Sequence, residues 1–114
     1  NSEHFVMIVC DSKSVRIDPL MVRISDFNKK EHRTRSFNVR NVMLDADHNL
    51  ISIGLFDNEK KASDYIASMF VGDYVFGGID KSKYTIIPIS IMNYPVFYET
   101  KDLEEYQAFI ESNK

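Results

Sequence analysis

Tryptophan is absent, and the 114-residue chain holds one cysteine, three prolines and four glycines. A single thiol, Cys10, closes no disulfide within the chain and makes no zinc site by itself. So little Pro and Gly excludes collagen-like and linker-like composition. No apolar run approaches the roughly 20 residues of a membrane-spanning helix. Positive charge is also short. Fourteen Lys and Arg against 17 Asp and Glu leave a formal net charge of −3, which disfavours general nucleic-acid binding. The three histidines, His4, His32 and His48, stand at no metal-ligand spacing, and none has a cysteine partner. Gly77-Gly78 alone is no phosphate loop and reads as a turn. Asp45/Asp47 and Glu104/Glu105 are neighbours in sequence only, the second pair fitting a helix cap. The expectation is no catalytic residue, no metal, no cofactor and no enzyme.

What is present is ordinary for a globular domain: 44% hydrophobic and 27% charged residues. Length and the lack of any linker or repeat predict one domain over 1–114. The chain begins at Asn1, and the missing Met predicts a piece excised from something longer.

Hydrophobic periodicity places the elements. His4 to Cys10 is a short apolar run suited to a central strand, with Cys10 a small core residue. Asp18-Pro19 reads as a helix start, and Leu20, Ile24 and Phe27 carry a helix over about 19–31. Phe37 and Val39 alternate in one phase, Val42 and Leu44 in the other, which predicts a bulge near Arg40-Asn41. The turn at 45–49 and the alternation of Ile51, Ile53 and Leu55 make 37–56 a hairpin. Asp57-Asn58 caps a second helix, on which Ala62, Tyr65, Ile66, Met69 and Phe70 recur at helical spacing. Residues 84–91 form a strand, and Pro88 inside it predicts an edge position. Asn93-Tyr94-Pro95 opens a helical turn. Asp102 with Glu105 is a capping-box pattern before a final helix of about ten residues on Leu103, Tyr106, Phe109 and Ile110.

The fold class predicted is α+β. The order β-α-β-β-α-β matches the ferredoxin-like split pattern, an antiparallel sheet with helices on one face, followed by a C-terminal helical extension. The RNA-recognition module shares that order, but its third strand carries a basic-aromatic signature that 50–56 lacks.

Two features are uneven. All five arginines lie within the first forty residues, and Lys29-Lys30-Glu31-His32-Arg33-Thr34-Arg35 is the densest stretch. Lys29, Lys30, Arg33 and Arg35 are candidate anion contacts, with helix C-terminal charge and an exposed loop as the structural alternative. Aromatics crowd the C-terminal segment. Tyr94, Phe97, Tyr98 and Tyr106 are candidates for an apolar docking surface, or they seat that segment on the sheet.

Two resemblances follow from particular residues. The segment 50–65, with Ile53-Gly54-Leu55-Phe56 and then Ala62 and Tyr65, resembles the strand-helix core of sporulation-related repeat (SPOR) domains. It implies a ferredoxin-like fold and peptidoglycan binding, with Ser52, Asn41 and tyrosines offered to sugar. A wider likeness runs through Phe5–Val9, Val22–Asn28, Tyr84–Ser90, Asn93–Tyr98 and Lys101-Asp102 with the Phe109 helix. It is similar to the C-terminal domain of large tetratricopeptide-repeat envelope proteins of gliding or type IX-secreting Gram-negative bacteria. This implies a noncatalytic interaction or scaffold module, on an envelope lipoprotein or periplasmic protein. A protein partner or the chain's own upstream repeats would be bound. A small-ligand-sensing domain of the same fold class is the third alternative.

Overall fold

The computed structural model runs β1 (His4–Asp11), α1 (Ile17–Glu31), β2 (Asn38–Asp45), β3 (His48–Phe56), α2 (Glu59–Met69), a 3₁₀ turn (Lys81–Lys83), β4 (Tyr84–Ser90), α3 (Tyr94–Thr100) and α4 (Leu103–Ser112). Residues 2–112 are described, without the side chains at 100, 109, 110 and 112. The expected anchoring by Phe109 and Ile110 lies outside the described side chains.

The strands form one four-stranded antiparallel sheet in the order β2-β3-β1-β4, making a mixed α+β domain. Pro88 sits in β4 at one edge, opposite Val6 of β1. An edge strand tolerates a missing N–H because one side of its backbone has no neighbour. The central strand β1 is apolar in both phases because both of its faces are covered. Val6, Ile8 and Cys10 join Ile51 and Ile53 of β3 on one face, against Leu20, Ile24 and Phe27 of α1 and Ala62, Tyr65 and Met69 of α2. Met7 and Val9 join Leu50 and Ile89 on the other, against Phe97 and Tyr106. Burial of each such side chain contributes roughly 1.5–3 kcal/mol before entropy is counted.

Local chemistry explains most boundaries. Asn58 caps α2 by accepting from Lys61 N at 2.9 Å, as its sequence predicts. Asp102 accepts from Glu105 N at 3.1 Å at the start of α4. Three expectations need correction. Helix α1 starts at Ile17, with Arg16 at its cap making no side-chain hydrogen bond, so Asp18 lies in the first turn and Pro19 inside it. Phe70 lies past the end of α2 and is exposed rather than core. The bulge is not at Arg40-Asn41, where β2 and β3 pair regularly; the register shifts between Met43 and Asp45. The phase change in β2 has another cause. Phe37 and Val39 pack on the helical face, while Leu44 joins the core of the opposite one and Val42, paired opposite Leu50, stands exposed on that side, so a regular strand displays both phases.

Candidate interaction surfaces

Helices α3 and α4 bring the C-terminal aromatics onto the sheet, and this sorts them. Phe97 is 0% exposed and Tyr106 4%, their rings edge to face at 5.7 Å in the second core. These two are corrected from docking surface to core, because they cover Met7, Val9 and Leu50. Tyr94 is half-buried, edge to face with Phe5 at 5.3 Å, and burial raises its phenol pKa. Tyr98 is exposed, under the Lys101 ammonium at 5.2 Å. Of the four candidates, Tyr94 and Tyr98 remain accessible.

The four basic candidates are exposed, and none makes an ion pair among the described residues. Lys29, Arg33 and Arg35 line one shallow depression beside Ser36 and Phe37. Arg35 is tethered there: its Nη2 donates to Leu55 O at 3.3 Å, and its guanidinium stands 5.2 Å from the Phe37 ring centre. Lys30 is separated from them and lines a neighbouring groove with Asp26 and Glu31.

The candidates for chemistry are engaged in structure. Cys10 is fully buried, and burial pushes its thiol up to about 11, so the nucleophilic thiolate is scarce at neutral pH. His32 sits among Phe27, Phe37 and Tyr65. Ser68 Oγ donates to Tyr65 O at 2.6 Å, so its hydroxyl accepts from His32 Nε2–H at 3.1 Å. Burial lowers the His32 pKa; Arg35 lowers it further and Glu31 opposes. The Tyr65 hydroxyl donates to the buried Asn28 carbonyl oxygen, and burial raises the Tyr65 pKa. His48 Nδ1 lies 2.9 Å from Asp45 Oδ1, within the hairpin turn. The Asp45 carboxyl is held below its ordinary range by the Asp47 backbone N–H and then by His48. His4 is buried, its Nδ1 2.7 Å from Ser2 O. Among the described residues no three His, Cys, Asp or Glu side chains group as a metal site, and no helix is long and apolar enough to cross a membrane.

Two further surfaces emerge, the first missed by sequence reasoning and the second expected from it only through Ser52, Asn41 and tyrosines. The connection after α2 reads Phe70-Val71-Gly72-Asp73-Tyr74-Val75-Phe76. Val75 and Phe76 turn into the core, while Val71 is 88% exposed, Tyr74 56% and Phe70 46%. Val71 and Tyr74 border a groove of about 570 Å³ against α1, with Phe27, Met69 and Val75 in its lining. Tyr74 is held there by donating to Asp26 Oδ2 at 3.1 Å. The signal was available as an apolar stretch with neither helical nor strand period, which cannot bury every side chain. The second surface is the part of the sheet that α3 and α4 leave bare. Phe5, Asn38, Arg40, Ser52, Gly54 and Tyr94 line a cavity of about 540 Å³ there. Gly54 is required, since a Cβ would lie 2.6 Å from the Phe5 ring. Asn41 is not on this surface, contrary to expectation. It pairs opposite Ile51 and so points to the helical face, whereas Arg40 pairs opposite Ser52.

No family model, no curated protein and no solved structure matches this chain.

Proposed function

We propose that the domain is a noncatalytic protein-interaction module of ferredoxin-like topology, carried at the C-terminus of a repeat-containing protein on the periplasmic side of a cell envelope. The topology is supported by the two split crossovers: β3 lies between β1 and β2, and β1 between β3 and β4. The envelope setting rests on the whole-chain resemblance described above. The observation that carries the interaction reading is the groove bordered by Val71 and Tyr74, with the exposed Phe70 beside Val71 in the chain. Three large side chains stand in water on one short connection, beside a groove rimmed by charged residues. Such a patch is costly to leave bare and marks a contact site. The occupant is a protein partner or the chain's own upstream repeats.

The test compares full-length protein with and without residues 1–114, and with Val71→Ser/Tyr74→Ser, by crosslinking mass spectrometry in the cells of origin. Loss of at least one crosslink, inter- or intramolecular, in both altered proteins is expected. An unchanged crosslink set would sink the reading.

A second reading is favoured by the bare part of the sheet. Phe5 and Tyr94 supply ring faces and edges, while Asn38, Arg40 and Ser52 supply donors and acceptors, a combination suited to a peptidoglycan glycan strand. Co-sedimentation with purified sacculi decides it: the wild type pellets and Tyr94→Ala does not, or the wild type stays in solution and the reading fails.

A further inference from the structure

The two edges of the sheet are unlike. Edge strand β4 carries Pro88, and the 3₁₀ turn and α3 flank it in sequence. Edge strand β2 pairs with β3 alone, and among the described residues no other backbone hydrogen bond reaches residues 38–43. One side of this strand therefore presents free N–H and C=O groups, with no proline to interrupt them.

Unpaired positive charge gathers around that same edge, on both faces. Lys29 and Arg33 stand on the helical face, beside Val39 and Phe37. Arg40 stands on the opposite face, across from Ser52. The depressions on the two faces meet at Ser36, and neither has an Asp or Glu in its lining. Four lysines elsewhere are ion-paired: Lys13 with Asp47, Lys60 with Asp64, Lys61 with Asp57 and Lys83 with Asp11. Lys29, Arg33 and Arg40 make no ion pair among the described residues, as is also true of Arg16, Lys30 and Lys81 elsewhere, but only the first three flank the proline-free edge of β2 on both faces.

We propose that β2 accepts a fifth strand from an acidic peptide segment of a partner protein. The added backbone pairs with the outer edge of residues 38–43, where β2 is regular. Side chains of an added strand alternate between the faces, so its carboxylates meet Lys29 and Arg33 on one and Arg40 on the other. Arginine suits this role because its fork matches a carboxylate with two hydrogen bonds. Nucleic acid and polyphosphate would supply charge but no strand for the edge. The inference rests on the interaction-module reading but uses a surface separate from the apolar groove.

The test titrates a fluorescent ten-residue peptide with Glu in adjacent pairs separated by pairs of Val, so that an extended strand presents carboxylates on both faces, against the intact chain by anisotropy. Saturable binding is expected, weakening at least about fivefold between about 20 and 150 mM salt. Arg33→Glu/Arg40→Glu, both exposed positions, weakens it at least about tenfold. Val71→Ser/Tyr74→Ser leaves it unchanged, which separates this surface from the groove. A peptide N-methylated at every residue has no N–H on either edge and loses binding without any change to the protein. Absence of saturable binding at low salt overturns the proposal. So does equal binding of the N-methylated peptide, which would mean charge without strand pairing, or tighter binding of inorganic polyphosphate or single-stranded RNA. Failure here leaves the crosslinks at the apolar groove standing.

Discussion

The sheet has two covered faces, and they are covered by different means. On the first, α1 and α2 span 15 and 11 residues and deliver leucine, isoleucine, methionine and aromatic side chains at helical spacing. On the second, α3 and α4 are 7 and 10 residues long and rest on the sheet chiefly through Phe97 and Tyr106. The first cover places a ring cluster, Phe27, His32, Phe37, Phe56 and Tyr65, over one end of the sheet. The second leaves Arg40 exposed and Phe5 and Ser52 only partly covered. Two long helices can cover a face; two short ones cover part of it, and the uncovered part is where a ligand can reach strand side chains. This difference is why the accessible candidates of the second face are sheet residues, while those of the first belong to a loop beside the helices.

Truncation after Met92 should break the comparison most. Losing α3 and α4 exposes Met7, Val9, Leu50 and Ile89 together, and the expected outcome is loss of a cooperative thermal transition with new binding of a hydrophobic dye. A melt indistinguishable from the full chain would mean that the second cover is dispensable. Phe97→Ala is the point version, expected to cost about 3–5 kcal/mol in urea unfolding, as large as a truncation in the first core. A cost under about 1 kcal/mol would show the second face to be loosely packed.

Gly54→Ala tests the boundary between covered and bare sheet. The added Cβ must displace the Phe5 ring, at an expected cost of about 1–3 kcal/mol, with glycan or peptide binding altered through Phe5 and Arg40. The His32 cluster gives a pH signature for the first face. Its pKa is below the ordinary 6.5 when folded, so the unfolded chain takes up the proton first as pH falls. The stability from neutral His32 is complete above about pH 6.5 and is lost as pH falls toward the lower folded value. Wild type should therefore lose more stability between about pH 7.5 and 5.5 than His32→Gln, measured by urea midpoints. Equal losses would place the imidazole in water. The smallest effect expected is at Lys101, which holds a left-handed φ of 55° where α3 ends. Lys101→Gly should stabilise by about 0.5–1 kcal/mol despite losing the Tyr98 contact, since glycine adopts that conformation without a side-chain clash.

Much of the first face was legible because period and burial coincide there. Leu20, Ile24 and Phe27, and Ala62, Tyr65 and Met69, each repeat every three or four residues, and all six are buried. Pro88 likewise marked an edge by its chemistry alone. The second face was not legible to the same depth. Seven residues make two turns, too few for a period to separate Phe97 from Tyr98, although one is buried and its neighbour exposed. The opposed phases of Phe37/Val39 and Val42/Leu44 suggested a bulge because a strand with apolar residues on both faces looks, in one dimension, like a strand that slips. Of the candidate sites, the basic stretch was visible as composition. That Lys30 parts from Lys29, Arg33 and Arg35, and that Arg40 stands on the far face, depends on where a helix end meets an edge strand.

Sequence by itself determined the element types and their order, the buried stripes of α1 and α2, the caps at Asn58 and Asp102, and the excess of cations before Arg40. Each follows from spacing or side-chain chemistry within a few residues. Tertiary structure alone decided that Phe97 and Tyr106 close a second core and that Val71 and Tyr74 remain in water. It also placed Lys29, Arg33 and Arg40 on both sides of an unpaired strand edge. Those outcomes depend on which surfaces compete for the same few apolar side chains once the sheet has formed, and residues far apart in the chain settle that competition.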